Sequence, residues 1–361
     1  MTNTTLEKWE KKTLHEVLNK VKYTSKIQSK LYKDKGKYPI ISQEDVFISG
    51  YWDNPSDVYH VKHPIVIFGD HTKVVKYIDF DFVLGADGVK ILDPTKDINA
   101  KFLYYWTKYV PLRNLGYARH YKLLSEKTIH FPPLPEQERI VAKLDKAFEA
   151  IDKVKANAEQ NLNNVKELFE SALNKVFTEN TEGWEEKTLK EVCKKISAGG
   201  DKPENFSKVI TENCEVPIYS NGIENDGLYG YTDVPAITEE AITISARGTI
   251  GFICKRVKPY YPIVRLISAI PNDHINIDFM EYALKFMVPT GNGSSIPQLT
   301  VPMLKDKKVK YPSLPEQQKI VEKLDALQEQ TKQLEAIYTQ KIKECDELKQ
   351  SILQKAFRGE L

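Results

Sequence analysis

Few residues in this 361-residue sequence have the types and spacing that chemistry needs. His60 and His63 stand three apart, a spacing that could bring two imidazoles to one metal ion. No third ligand stands near them, so no metal site is expected. Asp70 and His71 could be drawn as an acid–base pair, but the matching segment in the second half of the chain reads "ISARGT", with neither residue. "TGNGSS" at Thr290 neither follows a clear strand nor opens a helix, and no glycine-rich loop leads to a phosphate-binding lysine. Cys193, Cys214, Cys254 and Cys345 show no CxxC spacing, and three of the four share one segment. That pattern argues against both a disulfide framework and a structural zinc site. The expected chain is non-catalytic and carries no cofactor of its own.

Composition sets the next bounds. Charged residues make up 28% and hydrophobic residues 41%, the balance of a folded, soluble protein with room for two or three domains. The opening "MTNTTLEKWEKK" lacks the apolar core of a signal peptide, and no apolar run approaches the ~18 residues that span a bilayer. A reduced, cytoplasmic protein is expected. The net charge is +2 but unevenly spread: residues 1–130 carry 21 Lys and Arg against 15 Asp and Glu, residues 181–310 carry 16 against 17. The first segment could attract a polyanion by charge alone and the second could not.

The positioning elements come from a repeat. "FPPLPEQERIVAKLD" (Phe131–Asp145) and "YPSLPEQQKIVEKLD" (Tyr311–Asp325) are identical at 10 of 15 positions. The offset of 180 persists to "LFESALNKVF" (Leu168) and "LKQSILQKAF" (Leu348). Upstream, "WEKKTLHEV" at Trp9 matches "WEEKTLKEV" at Trp184, "YPIIS" matches "VPIYS", and "GYWD" matches "GYTD". The chain is a tandem duplication, each copy a globular part followed by a long helix.

Periodicity argues for the helices. In the first copy an apolar seam of alternating threes and fours runs Val141, Leu144, Phe148, Ile151, Lys155, Ala158, Leu162, Val165, Phe169, Ala172, Val176, with ten of eleven positions apolar. The second seam runs Ile320, Leu324, Leu327, Thr331, Leu334, Tyr338, Lys341, Cys345, Leu348, Ile352, Lys355, with eight of eleven. "LPEQ" starts each helix: proline suits the first helical position, the following glutamate faces the positive end of the dipole, and the residue before proline is turned out of helical geometry. The expected helices are Pro135–Phe177 and Pro315–Phe357. Pairing their stripes antiparallel would place the globular parts at opposite ends of a rod, related by an approximate two-fold axis. The expected segments are 1–132, 133–180, 181–312 and 313–361, in an α+β class.

Each globular part mixes β-rich runs with polar turns and opens on a capping box, Thr13-x-x-Glu16 and Thr188-x-x-Glu191, which predicts a short helix after each tryptophan. "FLYYWTKYV" could stack on bases, but its counterpart at Phe279 keeps the apolar positions and not all the rings, so core packing is the better reading. "HFPPLP" lacks the leading Asn or Asp and the closing aromatic of the adenine-methyltransferase motif, and it belongs to the helix start.

Two globular regions, each followed by a "PLPEQ..IV.KLD" helix, with the chain closing on "KAFRGEL", resemble the specificity subunit of type I restriction–modification systems. "YPIIS", "FGDHT", "ARGTIG" and "GYARHYK" look like that family's recurring phrases. The resemblance covers essentially the whole chain. It implies two target-recognition domains reading a bipartite, asymmetric site in double-stranded DNA. It also implies two adenine-N6 methyltransferase subunits that use S-adenosylmethionine, and restriction subunits that use ATP and Mg. The candidate base-reading residues are then His71, Lys73, Tyr117, Arg119 and His120 in the first domain, and Asn221, Arg247, Asn292, Ser294 and Gln298 in the second. Arg247 leads that set because it lies in a glycine-flanked turn after a β-run. A helical scaffold that binds proteins rather than DNA would also explain the long helices, but not two diverged, turn-rich domains.

Overall fold

The computed structural model describes residues 8–86, 88–116, 118–179, 181–288, 291–292 and 298–361. Among them the α-helices are α1 (Ala100–Tyr109), α2 (Tyr121–Ser125), α3 (Leu134–Thr178), α4 (Leu189–Val192), α5 (Ile277–Met287), α6 (Val301–Lys305) and α7 (Leu314–Phe357). Two compact units form, unit 1 from Met1–Glu159 with Gln340–Leu361 and unit 2 from Gln160–Thr339. Each unit therefore contains part of both long helices, where the linear segments assign one helix to each copy.

The phrase "LPEQ" starts both long helices, and its glutamine does more than the sequence suggests. Gln137 is fully buried; its Oε1 accepts the Asn99 N–H at 2.8 Å, and its Nε2 donates to the Asp97 and Pro132 carbonyls at 2.9 and 2.8 Å. Gln317 repeats this in unit 2, accepting from Asn276 N at 2.8 Å and donating to His274 and Pro312 carbonyls at 3.1 and 2.9 Å. Asn99 and Asn276 in turn cap α1 and α5, each side chain accepting two backbone N–H bonds. One buried amide thus ties the start of a long helix to the start of the helix packed beside it. The aspartate closing the phrase is also held: Tyr105 donates to Asp145 at 2.5 Å and Tyr282 to Asp325 at 2.6 Å.

In unit 1, α3 and α7 run antiparallel: Lys155 Nζ donates to both Asp346 oxygens at 2.7 and 2.8 Å, and Lys349 pairs with Asp152. Their stripes share a core with α1 and Trp9, in which the Phe102 ring lies 5.1 Å from Phe357 and 6.4 Å from Trp9. In unit 2, Leu173 and Phe177 of α3 meet Val321 and Leu324 of α7 in the core of α5, with Phe279 5.5 Å from Phe177 and 6.0 Å from Trp184. The run "FLYYWTKYV" is core as expected, with Phe102, Leu103, Tyr105 and Trp106 buried.

The heptad seam needs one correction. Toward the end of α3, Leu173 and Phe177 are buried while Ala172 and Val176 are only half-buried. Toward the end of α7, Leu353 and Ala356 are buried, while Leu348 is 50% exposed and Lys355 is exposed. The buried stripe has moved on one residue from a strict seam of period 3.5. An α-helix of 3.6 residues per turn drifts ~20° per heptad from such a seam, so about five heptads move the stripe by one position. Earlier in α7, Leu334 and Lys341 are exposed while Thr331 and Cys345 are buried on the seam.

Short antiparallel ribbons bracket each globular part, Glu10–Thr13 with Thr128–Phe131 and Glu185–Thr188 with Lys308–Tyr311. Both capping boxes form; the Thr13 and Thr188 backbone N–H groups donate to Glu16 and Glu191 at 2.7 and 2.8 Å. The helix after each tryptophan is one turn long, a 3₁₀ turn at Leu14–Val17 and α4 in unit 2. In unit 1, α1 covers an antiparallel sheet of Val75–Ile78, Ile65–Gly69 and Val89–Leu92. A second sheet orders Gly50–Trp52, Tyr38–Ile41, Phe82–Leu84 and Val58–Tyr59. In unit 2, α5 covers Cys193–Ala198, Ile267–Pro271, Ala241–Ile244 and Ile253–Arg256, and the second sheet orders Leu228–Thr232, Val216–Tyr219 and Tyr261–Pro262. "YPII" and "VPIY" occupy the same place, each paired with one antiparallel and one parallel neighbour.

Candidate nucleic-acid interface

In unit 1 the strands Ile65–Gly69 and Val75–Ile78 meet in a tight turn carrying Asp70, His71, Thr72 and Lys73. It closes through Gly69 N to Val74 O and Lys73 N to Gly69 O, both 2.8 Å, with Lys73 at φ +62°. Asp70 anchors it: its N–H donates to Gly88 O at 2.7 Å, its Oδ1 accepts Tyr121 N at 2.8 Å, and its carbonyl accepts His120 N at 2.7 Å. His120 is fully buried. Leu115 N donates to its Nε2 at 3.2 Å, so the ring proton sits on Nδ1, which faces the Asp70 carbonyl at 3.1 Å. His120 has no edge left to offer a base, so its expected role as a reader is corrected to one of holding the turn. Arg119 is exposed, and Lys73 is half-buried beside an open cleft of about 560 Å³ that Asp45, Thr72 and Lys108 also line. Tyr117 lies outside the described residues.

The half-buried His71 donates its backbone N–H to Gln43 Oε1 at 3.1 Å, and Thr72 Oγ1 donates to the Gln43 carbonyl at 2.5 Å. Gln43 follows "YPIIS" as Asn221 follows "VPIYS", a match visible in the sequence one residue past the repeated phrase. The segment carrying it is pinned by Lys76, which is buried and donates to Ser42 O at 3.0 Å and Val46 O at 2.6 Å. Burial lowers the Lys76 pKa, while Glu44 and Asp45 oppose that shift.

In unit 2 the strand Ala241–Ile244 runs into the turn Ser245–Thr249. It closes through Ser245 N to Phe252 O at 2.9 Å and Gly251 N to Ser245 O at 3.0 Å, and Gly248 at φ +69° supplies the left-handed step. Arg247 at its tip is exposed. Ala246 behind it is buried; its N–H donates to Asn221 Oδ1 at 2.8 Å and its carbonyl accepts Leu299 N at 3.2 Å. Thr249 pairs with the backbone of Asn292. The Asn221 side chain and the backbones of Asn292 and Leu299 thus meet the turn that carries Arg247, and Gln298, next to Leu299, is half-buried. Ser294 lies outside the described residues. Asn221 also donates Nδ2 to Val264 O at 2.7 Å, so its carboxamide is engaged at both ends and suits holding rather than reading.

The histidine pair stays apart, His60 bonding Asp81 at 2.7 Å and His63 bonding Asp93 at 2.6 Å. Among the described residues no three His, Cys, Asp or Glu side chains group as metal ligands, and no helix is long and apolar enough to cross a membrane.

The same architecture, a strand-end turn held by a side-chain amide, is therefore built twice with different tips. The family model for the type I restriction modification DNA specificity domain matches residues 6–164 and again 181–344. The chain belongs to this family. Among its relatives, a Mycoplasma pneumoniae type I specificity subunit is 35% identical over 261 residues, covering 70% of this chain and 71% of the relative. An Escherichia coli type I restriction enzyme specificity subunit is 25% identical over 334 residues, 83% and 81% of the two chains. The fold is shared with a chain from a structure describing complex assembly and conformational transition of a type I R-M system (TM-score 0.77, 20% identity, 98% of each chain). It is shared with the HsdS subunit of Thermoanaerobacter tengcongensis at a TM-score of 0.53, 21% identity and 98% and 97% coverage. As a type I specificity chain the protein recognises DNA by sequence, and its two matched spans are the two copies of the repeat.

Proposed function

We propose that the chain reads a bipartite, asymmetric site in double-stranded DNA, one half with each unit. One observation carries this reading: equivalent turns end in unlike side chains, Asp70–Lys73 in unit 1 and Arg247 with Gly248 in unit 2. Equivalent placement gives equivalent approach to a groove, and unlike tips give unlike base preferences. His71, Lys73, Tyr117 and Arg119 serve the first half-site, and Arg247, Asn292, Ser294 and Gln298 the second, with His120 and Asn221 holding the turns.

The chain itself catalyses nothing in this reading. The repeated long helices offer two equivalent faces to two methyltransferase subunits, which carry S-adenosylmethionine, and restriction subunits bring ATP and Mg. Partner subunits supply much of the phosphate contact, which accommodates a net charge of only +2. The assembly works in the cytoplasm, where the DNA is. Co-expression with the methyltransferase partner, followed by sequencing that detects N6-methyladenine, tests the proposal. The expected motif has two unlike halves and an unread gap. A continuous or palindromic motif, or methylation that persists without this chain, would overturn it.

A further inference from the structure

Unit 2 contains three arginines, and the structure puts them to different uses. Arg256 is buried. Its Nε donates to Thr243 Oγ1 at 3.0 Å, its Nη2 to the Asp226 carbonyl at 2.5 Å, and its guanidinium lies 3.6 Å from the Tyr219 ring centre. Arg247 and Arg265 are exposed, and their guanidinium groups form no ion pair or hydrogen bond with a described residue. Arg265 was absent from the candidates read in the sequence.

Arg265 sits in a turn that resists its own residues. Val264 and Arg265 take φ of +54° and +61°, a left-handed conformation that L residues adopt rarely and β-branched valine least of all. Three bonds hold it there: Val264 N to Gly200 O at 2.8 Å, Arg265 N to Gly199 O at 2.9 Å, and Asn221 Nδ2 to Val264 O at 2.7 Å. The other end of the same Asn221 carboxamide accepts the Ala246 N–H at 2.8 Å, directly behind Arg247. A single planar group therefore bonds to both turns, the one that carries Arg247 and the one that carries Arg265.

We propose that Arg265 is a further DNA-contacting residue of unit 2, and that Asn221 is the positioning residue that makes the Arg247 and Arg265 turns one surface. The inference rests on DNA reading by unit 2. A guanidinium fork fits the O6/N7 edge of guanine or a phosphate, and a side chain mounted on a fixed turn loses less freedom on binding.

The test uses the intact chain assembled with its methyltransferase partner, on duplexes carrying the motif mapped by N6-methyladenine sequencing. Arg265→Ala is expected to weaken binding roughly 5- to 150-fold. Loss confined to one base pair of unit 2's half-site marks a base edge, and uniform loss with a shallower salt dependence marks a phosphate. Lys258→Ala, a matched loss of exposed charge, should change affinity little. Asn221→Ala should relax the same positions as Arg247→Ala and Arg265→Ala, leave unit 1's half-site intact, and add little to the double variant. If Asn221→Ala fails to fold, Asn221→Asp retains the acceptor for Ala246 N, lacks the donor to Val264 O, and should lose only the Arg265-dependent part. Wild-type affinity, salt dependence and motif in Arg265→Ala, or an equal loss in Lys258→Ala, would overturn the contact. An Asn221→Ala variant that shifts only the melting temperature would overturn the positioning role. If the wild-type complex shows no bipartite motif, the reading by units has failed instead, and the two failures are told apart.

Discussion

Arg247 and His120 look alike in the sequence, polar residues in loops rich in turn formers, and the fold gives them opposite roles. One projects from a turn; the other is sealed beneath one, both ring nitrogens engaged. No local pattern separates such residues, because burial depends on which distant strand ends beside them. Gln43 was missed for the same reason, although the repeat placed it level with Asn221. If Arg247 reads a guanine, Arg247→Ala should cost about 1–3 kcal/mol of discrimination and relax one position of unit 2's half-site. Sequencing of methylated adenine in that variant checks it; an unchanged motif removes Arg247 from the reading surface. A second residue-scale outcome concerns alkaline stability. Tyr260 is fully buried, and desolvation pushes its pKa up to about 12 while its hydroxyl bonds Ser268 Oγ at 2.9 Å. The unfolded chain releases that proton near pH 10, the folded chain near 12. Between those values the unfolded state binds fewer protons, so stability should fall by up to ~1.4 kcal/mol per pH unit from this group. Tyr260→Phe should flatten that loss in urea titrations at pH 9 to 12, and an unchanged slope would contradict the assignment.

At the scale of elements, the two long helices were legible because three signals agreed: the proline that starts them, the stripe that runs along them, and the repeat of both. Their antiparallel pairing followed from chain direction. The one-residue slip of the stripe was not legible, since a seam drawn by sevens assumes a supercoil that the helices do not maintain to their ends. Nor was the role of the "LPEQ" glutamine, because a buried amide bonding three backbone groups leaves no periodic trace. Gln317→Ala would strand the Asn276 N–H and the His274 and Pro312 carbonyls in a buried site. The expected cost is about 2–4 kcal/mol, read as a lower urea midpoint for unit 2. A midpoint within error of wild type would show that the amide is replaceable by water. The globular sheets were foreseen only as β-rich runs, because their strands are short and pair across long gaps such as Val216–Tyr219 with Tyr261–Pro262.

At the scale of the whole molecule, duplication made the architecture readable and divergence hid the specificity. The copies share what folding needs, the tryptophan, the capping box and the helix start, and they differ at the turn tips, where nothing in the fold dictates the side chain. Both long helices contribute residues to both units, and changing their length tests whether they set the unread gap. Four residues inserted beside Lys155, with four beside the facing Asp346, add ~6 Å and ~40°. DNA rises ~3.4 Å and turns ~34–36° per base pair, so the unread gap should lengthen by one or two base pairs with both halves unchanged. A folded variant that keeps the original gap would show that the helices do not set it. The central claim, that each unit reads its own half-site, is tested most directly by exchange. Residues 10–130 are replaced by the matching domain of a relative with a different motif, and N6-methyladenine is mapped in cells carrying the hybrid and the methyltransferase partner. The account predicts a motif with one half replaced and the other half retained; a motif changed in both halves, or in neither, would contradict it.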